Sequence, residues 1–167
     1  PLQIGIVILG TTINLSFILN INPVYIVLIS LFVFFSFIGG LIIGRVLKLN
    51  SNMTILLSSG AAICGGTAMV AVASIIKAKA SEIIVSLTIV FMLNAIAIVF
   101  FPIIATYLQM GNEEFGAFAA LAIHDTSSVV GAAIQYSPES VEMASVLKLG
   151  RTLWLIPLLF ILNYKFN

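Results

Sequence analysis

Long apolar runs, cut by short polar turns, organise this chain. A helix needs about 20 apolar residues to cross a bilayer, and several runs reach that length. Residues 2–19 form the first, ended by Asn20-Ile21-Asn22-Pro23. Residues 24–46 form a second, with Gly39, Gly40 and Gly44 placed for close helix approach. A polar turn with Arg45 and Lys48 follows. Residues 54–76 are apolar but rich in small residues, and they break at Cys64-Gly65-Gly66. A loop with Lys77 and Lys79 leads to a long span at 82–108, which holds Asn94 and Pro102. After the acidic turn at Glu113 and Glu114, residues 115–134 are apolar but break at His124-Asp125. A last helix is expected over 139–164, kinked at Pro157, with Lys148 and Arg151 one turn apart on one face.

Composition fixes the solvent. The chain is 61% hydrophobic and 8% charged, and its mean hydropathy is +1.23. A soluble domain carries about 25% charged residues, so this is an all-α, polytopic integral membrane bundle, read as one transmembrane domain over 1–167. Seven basic residues make no nucleic-acid stripe. One cysteine excludes an intrachain disulfide, and one histidine without ligand spacing argues against a metal. No cofactor is expected. Pro1 is not an initiator Met and the run that follows it lacks a signal-peptide layout, so a fragment or a processed product is expected.

Charge placement bears on topology. Short cytoplasmic loops are enriched in Lys and Arg. If every segment crossed, the Arg45/Lys48 and Lys77/Lys79 loops would face opposite sides. If 54–76 and 115–134 instead dip in and return, both basic loops and Lys165 share one side, and Glu113/Glu114 take the other. The re-entrant arrangement fits the charges better; two unwound but crossing helices are the alternative. A faint repeat runs at an offset of sixty: Ala62-Ile63 on Ala122-Ile123, Thr67 on Ser127, Val70 on Val130, Ala73 on Ala133, Glu82 on Glu142. Re-entrant segments would make these repeats inverted, whereas crossing segments would make them parallel.

The two breaks hold the candidate chemistry. Non-helical backbone at membrane depth is tolerated only inside protein or beside a wet cavity, and transporters place substrate there. Cys64-Gly65-Gly66-Thr67 has the makings of an anion cradle: glycines admit close approach, and a helix starting at Ala68 would aim free N–H groups at an oxyanion. The plainer reading is packing glycines. His124-Asp125-Thr126-Ser127-Ser128 places an ionisable pair mid-span, a functional position by default. His124 suits proton relay, and Asp125 either fixes its tautomer or caps the next arm at Thr126 or Ser127. The plainer reading is a cap beside a satisfied histidine. Lys148 and Arg151 either snorkel to the interface or present a positive pair to an anion. Asn94 reads most simply as an interhelical hydrogen-bond partner. Ser127 and Ser128 near His124 do not make a catalytic triad.

Four motifs carry a family resemblance: Leu2-Gln3-Ile4-Gly5-Ile6-Val7-Ile8-Leu9-Gly10, Gly60-Ala61-Ala62-Ile63-Cys64-Gly65-Gly66-Thr67-Ala68, Ala122-Ile123-His124-Asp125-Thr126-Ser127-Ser128-Val129-Val130 and Lys148-Leu149-Gly150-Arg151. In this order they resemble the bacterial YeiH-type (UPF0324-like) membrane proteins, which often carry the label sulfate exporter. The family often has Ser where Thr67 stands and Glu where Asp125 stands. The resemblance implies a chain about half the length of a full member. It also implies a multi-pass protein of the bacterial inner membrane and a secondary transporter of a small anion such as sulfate, sulfite or a sulfonate. A proton or sodium ion would couple transport, and a homo-oligomer is compatible with it. The substrate residues would be Cys64, Gly65, Gly66, Thr67, His124, Asp125, Thr126, Ser127, Ser128, Lys148 and Arg151. A passive channel, a structural membrane subunit and, less readily, a membrane hydrolase using Ser127 or Cys64 stand as alternatives.

Overall fold

The protein, seen in a computed structural model, is described over residues 23–166. The expected span at 2–19 and the motif from Leu2 to Gly10 lie outside these residues. The described chain is all-helical: α1 (Pro23–Val46), α2 (Ser51–Ala62), α3 (Gly66–Ile75), α4 (Ala80–Tyr107), α5 (Asn112–Ala122), α6 (Thr126–Tyr136), α7 (Ser140–Thr152) and α8 (Leu155–Phe166). Among the described residues, three stretches are long and apolar enough to span a bilayer: Val24–Val46, Ala80–Tyr107 and Ser140–Phe166. At 1.5 Å per residue, α1 extends about 36 Å, whereas α2 and α3 reach only about 18 and 15 Å. A hydrocarbon core is about 30 Å thick, so each short arm stops near its middle.

Both broken segments fold back on themselves. A Cβ built on Gly60 would lie 3.0 Å from Met69 Cγ, a contact that two collinear helices could not make across nine positions. Leu56, Met69, Val72 and Ile76 share one core cluster. The start of α2 also meets the segment that follows α3. Glu82 accepts hydrogen bonds from Asn50 Nδ2 (2.9 Å), Asn52 Nδ2 (3.0 Å) and the Lys79 N–H (2.8 Å). The second segment closes the same way. Tyr136 at the end of α6 stacks on Phe115 near the start of α5, with ring centroids 4.2 Å apart. Its hydroxyl donates to the Met110 carbonyl. The re-entrant arrangement is therefore the one observed.

One full span, α4, separates the hairpins, so they enter from opposite ends of the bundle. The offset of sixty now acquires structural meaning. Shifted by it, α5 falls on α2, α6 on α3, and α7 with α8 on α4, each bound agreeing within about two residues. The repeat is inverted. The charges sort accordingly. Arg45, Lys48, Lys77, Lys79 and Lys165 gather at one end with Glu82, whereas Glu113, Glu114, Glu139 and Glu142 lie at the other.

Small residues allow the arms to pack against the spans. A Cβ on Gly40 would lie 2.7 Å from Ser58 Oγ, and one on Gly44 2.5 Å from Thr54 Cγ2. These pairings make α1 and α2 antiparallel and close, as expected of the two glycines. Gly39 has open space instead. On the other side, a Cβ on Gly116 would lie 2.6 Å from the Ser140 carbonyl oxygen, which sets α5 directly on α7. The last span departs from expectation. It is two helices, interrupted at Leu153-Trp154. Pro157 has no N–H for the Leu153 carbonyl, and the Ile156 N–H takes that carbonyl at 3.2 Å instead. The proline breaks the helix one turn upstream of itself.

Candidate functional site

The hairpin tips meet. Each first arm ends in an isoleucine, Ile63 or Ile123, whose N–H still bonds its own helix (3.1 and 3.0 Å). The turns then diverge. In the first, Gly65 takes φ +63° and ψ −118°, and its N–H reaches back to the Gly60 carbonyl at 2.9 Å. Only glycine enters that region without strain. In the second, the chain stays extended through Ile123 and Asp125. Asp125 caps α6, with Oδ2 accepting from the Ser128 N–H (3.0 Å) and the Ser128 hydroxyl (3.1 Å). The cap thus falls on Ser128 rather than on Thr126 or Ser127, and this carboxylate oxygen serves the helix rather than the His124 ring. A Cβ on Gly65 would lie 3.5 Å from the His124 carbonyl carbon and 3.6 Å from the Asp125 nitrogen. The N-terminal ends of α3 and α6 are therefore side by side.

Those ends supply donors. The first intrahelical bond of α3 is Met69 N–H to Gly65 O (3.2 Å), and that of α6 is Val129 N–H to Asp125 O (3.0 Å). No helical carbonyl serves the N–H groups of Gly66, Thr67, Thr126 and Ser127. The side chains of Thr67 and Ser127 are exposed, and Thr126 is half-buried. Cys64 is buried, with its thiol beside the Ala68 amide and the Thr67 hydroxyl.

The C-terminal ends of the first arms meet Lys148 and Arg151, which are both fully buried. Lys148 Nζ donates to the Ile63 carbonyl (3.2 Å) and the Ile123 carbonyl (2.8 Å). Arg151 donates from Nε to Ala62 (2.7 Å) and from Nη1 to Ala120 (3.1 Å) and Leu121 (2.8 Å). Its Nη2 reaches the Ala61 carbonyl, and its guanidinium lies over the Phe32 ring at 4.8 Å. These two residues neither snorkel nor face outward. They bind the negative ends of two half-helices, where cations are favoured, and tie both hairpins to α7.

The structure brings both tips together and turns Lys148 and Arg151 onto backbone carbonyls of other helices, partners that leave no trace in a one-turn spacing. Asn94 is the interhelical hydrogen-bond partner that its place in an apolar span predicts. This residue is 2% exposed at the middle of α4, and its Oδ1 accepts from the His124 N–H at 3.1 Å. Val90, one turn earlier, touches the Gly65 position. A lone polar residue at the centre of an apolar span was the available signal.

The whole chain, residues 1–167, matches the family model described as conserved hypothetical protein 698. A UPF0324 membrane protein of Bdellovibrio bacteriovorus is 48% identical over 77% of this chain and 40% of its own length. Another, of Porphyromonas gingivalis, is 42% identical over 99% of this chain and 51% of its own. A third, of Vibrio parahaemolyticus, is 44% identical over 96% and 52% respectively. The chain spans about half the length of the curated relatives it matches. No solved structure matches it.

Proposed function

This chain belongs to the conserved hypothetical protein 698 (UPF0324) family of membrane proteins, and we propose that it forms the substrate-binding half of a secondary carrier for a small anion. The observation that carries this reading is the pairing of the α3 and α6 N-termini at Gly65 and Asp125. Broken helices in carriers aim positive ends at anionic substrate groups and leave carbonyl ends for coupling cations. Here Lys148 and Arg151 already fill the carbonyl ends. The positive ends, with Thr67, Thr126 and Ser127 hydroxyls beside them, remain for a ligand. Lys148 and Arg151 against Asp125 leave a formal excess of one positive charge at this depth when His124 is neutral, which suits a negative guest.

Gly65, Gly66 and Thr67 form one wall of the site, and His124, Thr126 and Ser127 the other. Asp125, Ser128 and Cys64 shape the helix starts, and Lys148 and Arg151 fix the tips relative to each other. His124 is the group able to exchange a proton with the site. Sulfate, sulfite and sulfonates are the leading guests, since oxyanions match a wall of N–H and O–H donors. The basic end would face the cytoplasm of a bacterial inner membrane, following the Lys/Arg bias. Because a built-in cation sits where sodium would otherwise bind, protons rather than sodium would accompany transport.

Counterflow of labelled sulfite and sulfate into proteoliposomes holding the full-length protein tests the reading. Saturable exchange is expected, and it should collapse in His124→Ala. Flux without saturation or counterflow would point to a channel. No flux of either anion through folded protein would remove the sulfur-oxyanion assignment.

A further inference from the structure

We propose that Asn94 is a direct ligand-binding residue, donating from Nδ2 to the anion held between the hairpin tips; this deepens the carrier reading and rests on it. Asn94 is buried at the midpoint of a 28-residue span. Its carboxamide is half used. Oδ1 takes the His124 N–H (3.1 Å), whereas Nδ2 is buried with no hydrogen-bond partner. An unpaired amide donor in a buried setting is costly, and a structural role that needed only the acceptor would not require the NH2 group. The bond to His124 places the carboxamide at the second tip, and Val90 on the same face of α4 touches the Gly65 position of the first.

A second orphan stands at the other partner of this pair: His124 Nδ1 is also buried without a partner. The carboxamide NH2 can only donate. The site therefore asks for a ligand that presents an acceptor to Asn94, as an anionic oxygen does. The other donors around the tips are the N–H groups of Gly66, Thr67, Thr126 and Ser127 and the hydroxyls of Thr67, Thr126 and Ser127. Asn94 adds a donor from a third element that belongs to neither hairpin. Binding would thereby join both tips to the α4 span, so Asn94 also sets which oxyanions fit.

The test is sulfite and sulfate binding, by calorimetry, to the full-length protein in detergent, with counterflow run in parallel. Asn94→Asp keeps the oxygen that holds the His124 N–H but replaces the donor with an acceptor. It should raise Kd at least about tenfold, the worth of one hydrogen bond to a charged group. Asn94→Ala should raise it comparably, and Asn94→Ser, which restores a hydroxyl donor, should recover part of the loss. A purely structural role would lower thermal stability in Asn94→Ala while leaving Kd unchanged. Kd within about twofold of wild type in folded Asn94→Ala or Asn94→Asp protein, with exchange intact, would overturn the assignment of Asn94 alone. Absence of saturable binding and of exchange in the wild-type protein would instead overturn the sulfur-oxyanion reading on which the assignment rests.

Discussion

The two hairpins solve one problem with different chemistry. Each must reverse an apolar helix at mid-depth, where water cannot satisfy a freed backbone group. The α2–α3 turn does it with backbone conformation: Gly65 adopts φ +63°, and no side chain caps α3. The α5–α6 turn does it with a side chain: Asp125 stays extended and accepts the Ser128 N–H. Because one turn depends on a missing Cβ and the other on a carboxylate, a substitution that cripples one is expected to spare the other. The carbonyl ends show no such difference. Both converge on Lys148 and Arg151, whose donors span the two hairpins.

That shared anchor gives the largest expected effect. Arg151→Ala strands carbonyls of both α2 and α5 and should lower stability by on the order of 4 kcal/mol. Thermal unfolding of the full-length protein in detergent reads this, and a loss below about 1 kcal/mol would mean that the hairpins do not depend on the anchor. Gly65→Ala should cost about 1–3 kcal/mol, because its neighbours at 3.5 Å leave space for a methyl but the backbone conformation does not suit one. Gly66→Ala, at an ordinary helical start, should cost clearly less; equal losses would show that space rather than φ governs the turn. Asp125→Ala should cost about 1 kcal/mol, whereas Asp125→Asn keeps an acceptor and most of the stability. Hydrogen exchange should then rise in α6 and stay unchanged in α3. The smallest expected effect is on transport: replacing sodium with choline should change counterflow by less than about twofold, since fixed cations hold the carbonyl ends. A strong sodium requirement would contradict that role.

The fold was largely legible. The span at 24–46 became α1 almost residue for residue, and the long span at 82–108 became α4. Hydrophobic length and the polar breaks are local properties, so local reasoning reaches them. The charge pattern went further and favoured hairpins over crossing helices, because loop charge reports which side a turn lies on. The offset of sixty was weak as a match of small apolar residues and became firm only when helix bounds obeyed it. The last span was half right: Pro157 disturbs the helix, but the break falls at Leu153-Trp154.

What the sequence determined by itself was the solvent, the helix lengths, the position of both interruptions and the residue types at each tip. Those follow from composition and from contacts within a few positions. Only the tertiary structure decided which ends face which partners. Lys148 and Arg151 were free, by sequence, to meet an anion; folding places the carbonyls of Ala61, Ala62, Ile63, Ala120, Leu121 and Ile123 within their reach. Asn94 and His124 are thirty positions apart and become partners only when a hairpin tip is laid against the centre of a span. A buried polar group takes its role from whichever partner completes its hydrogen bonds, and in this protein those partners lie on other helices.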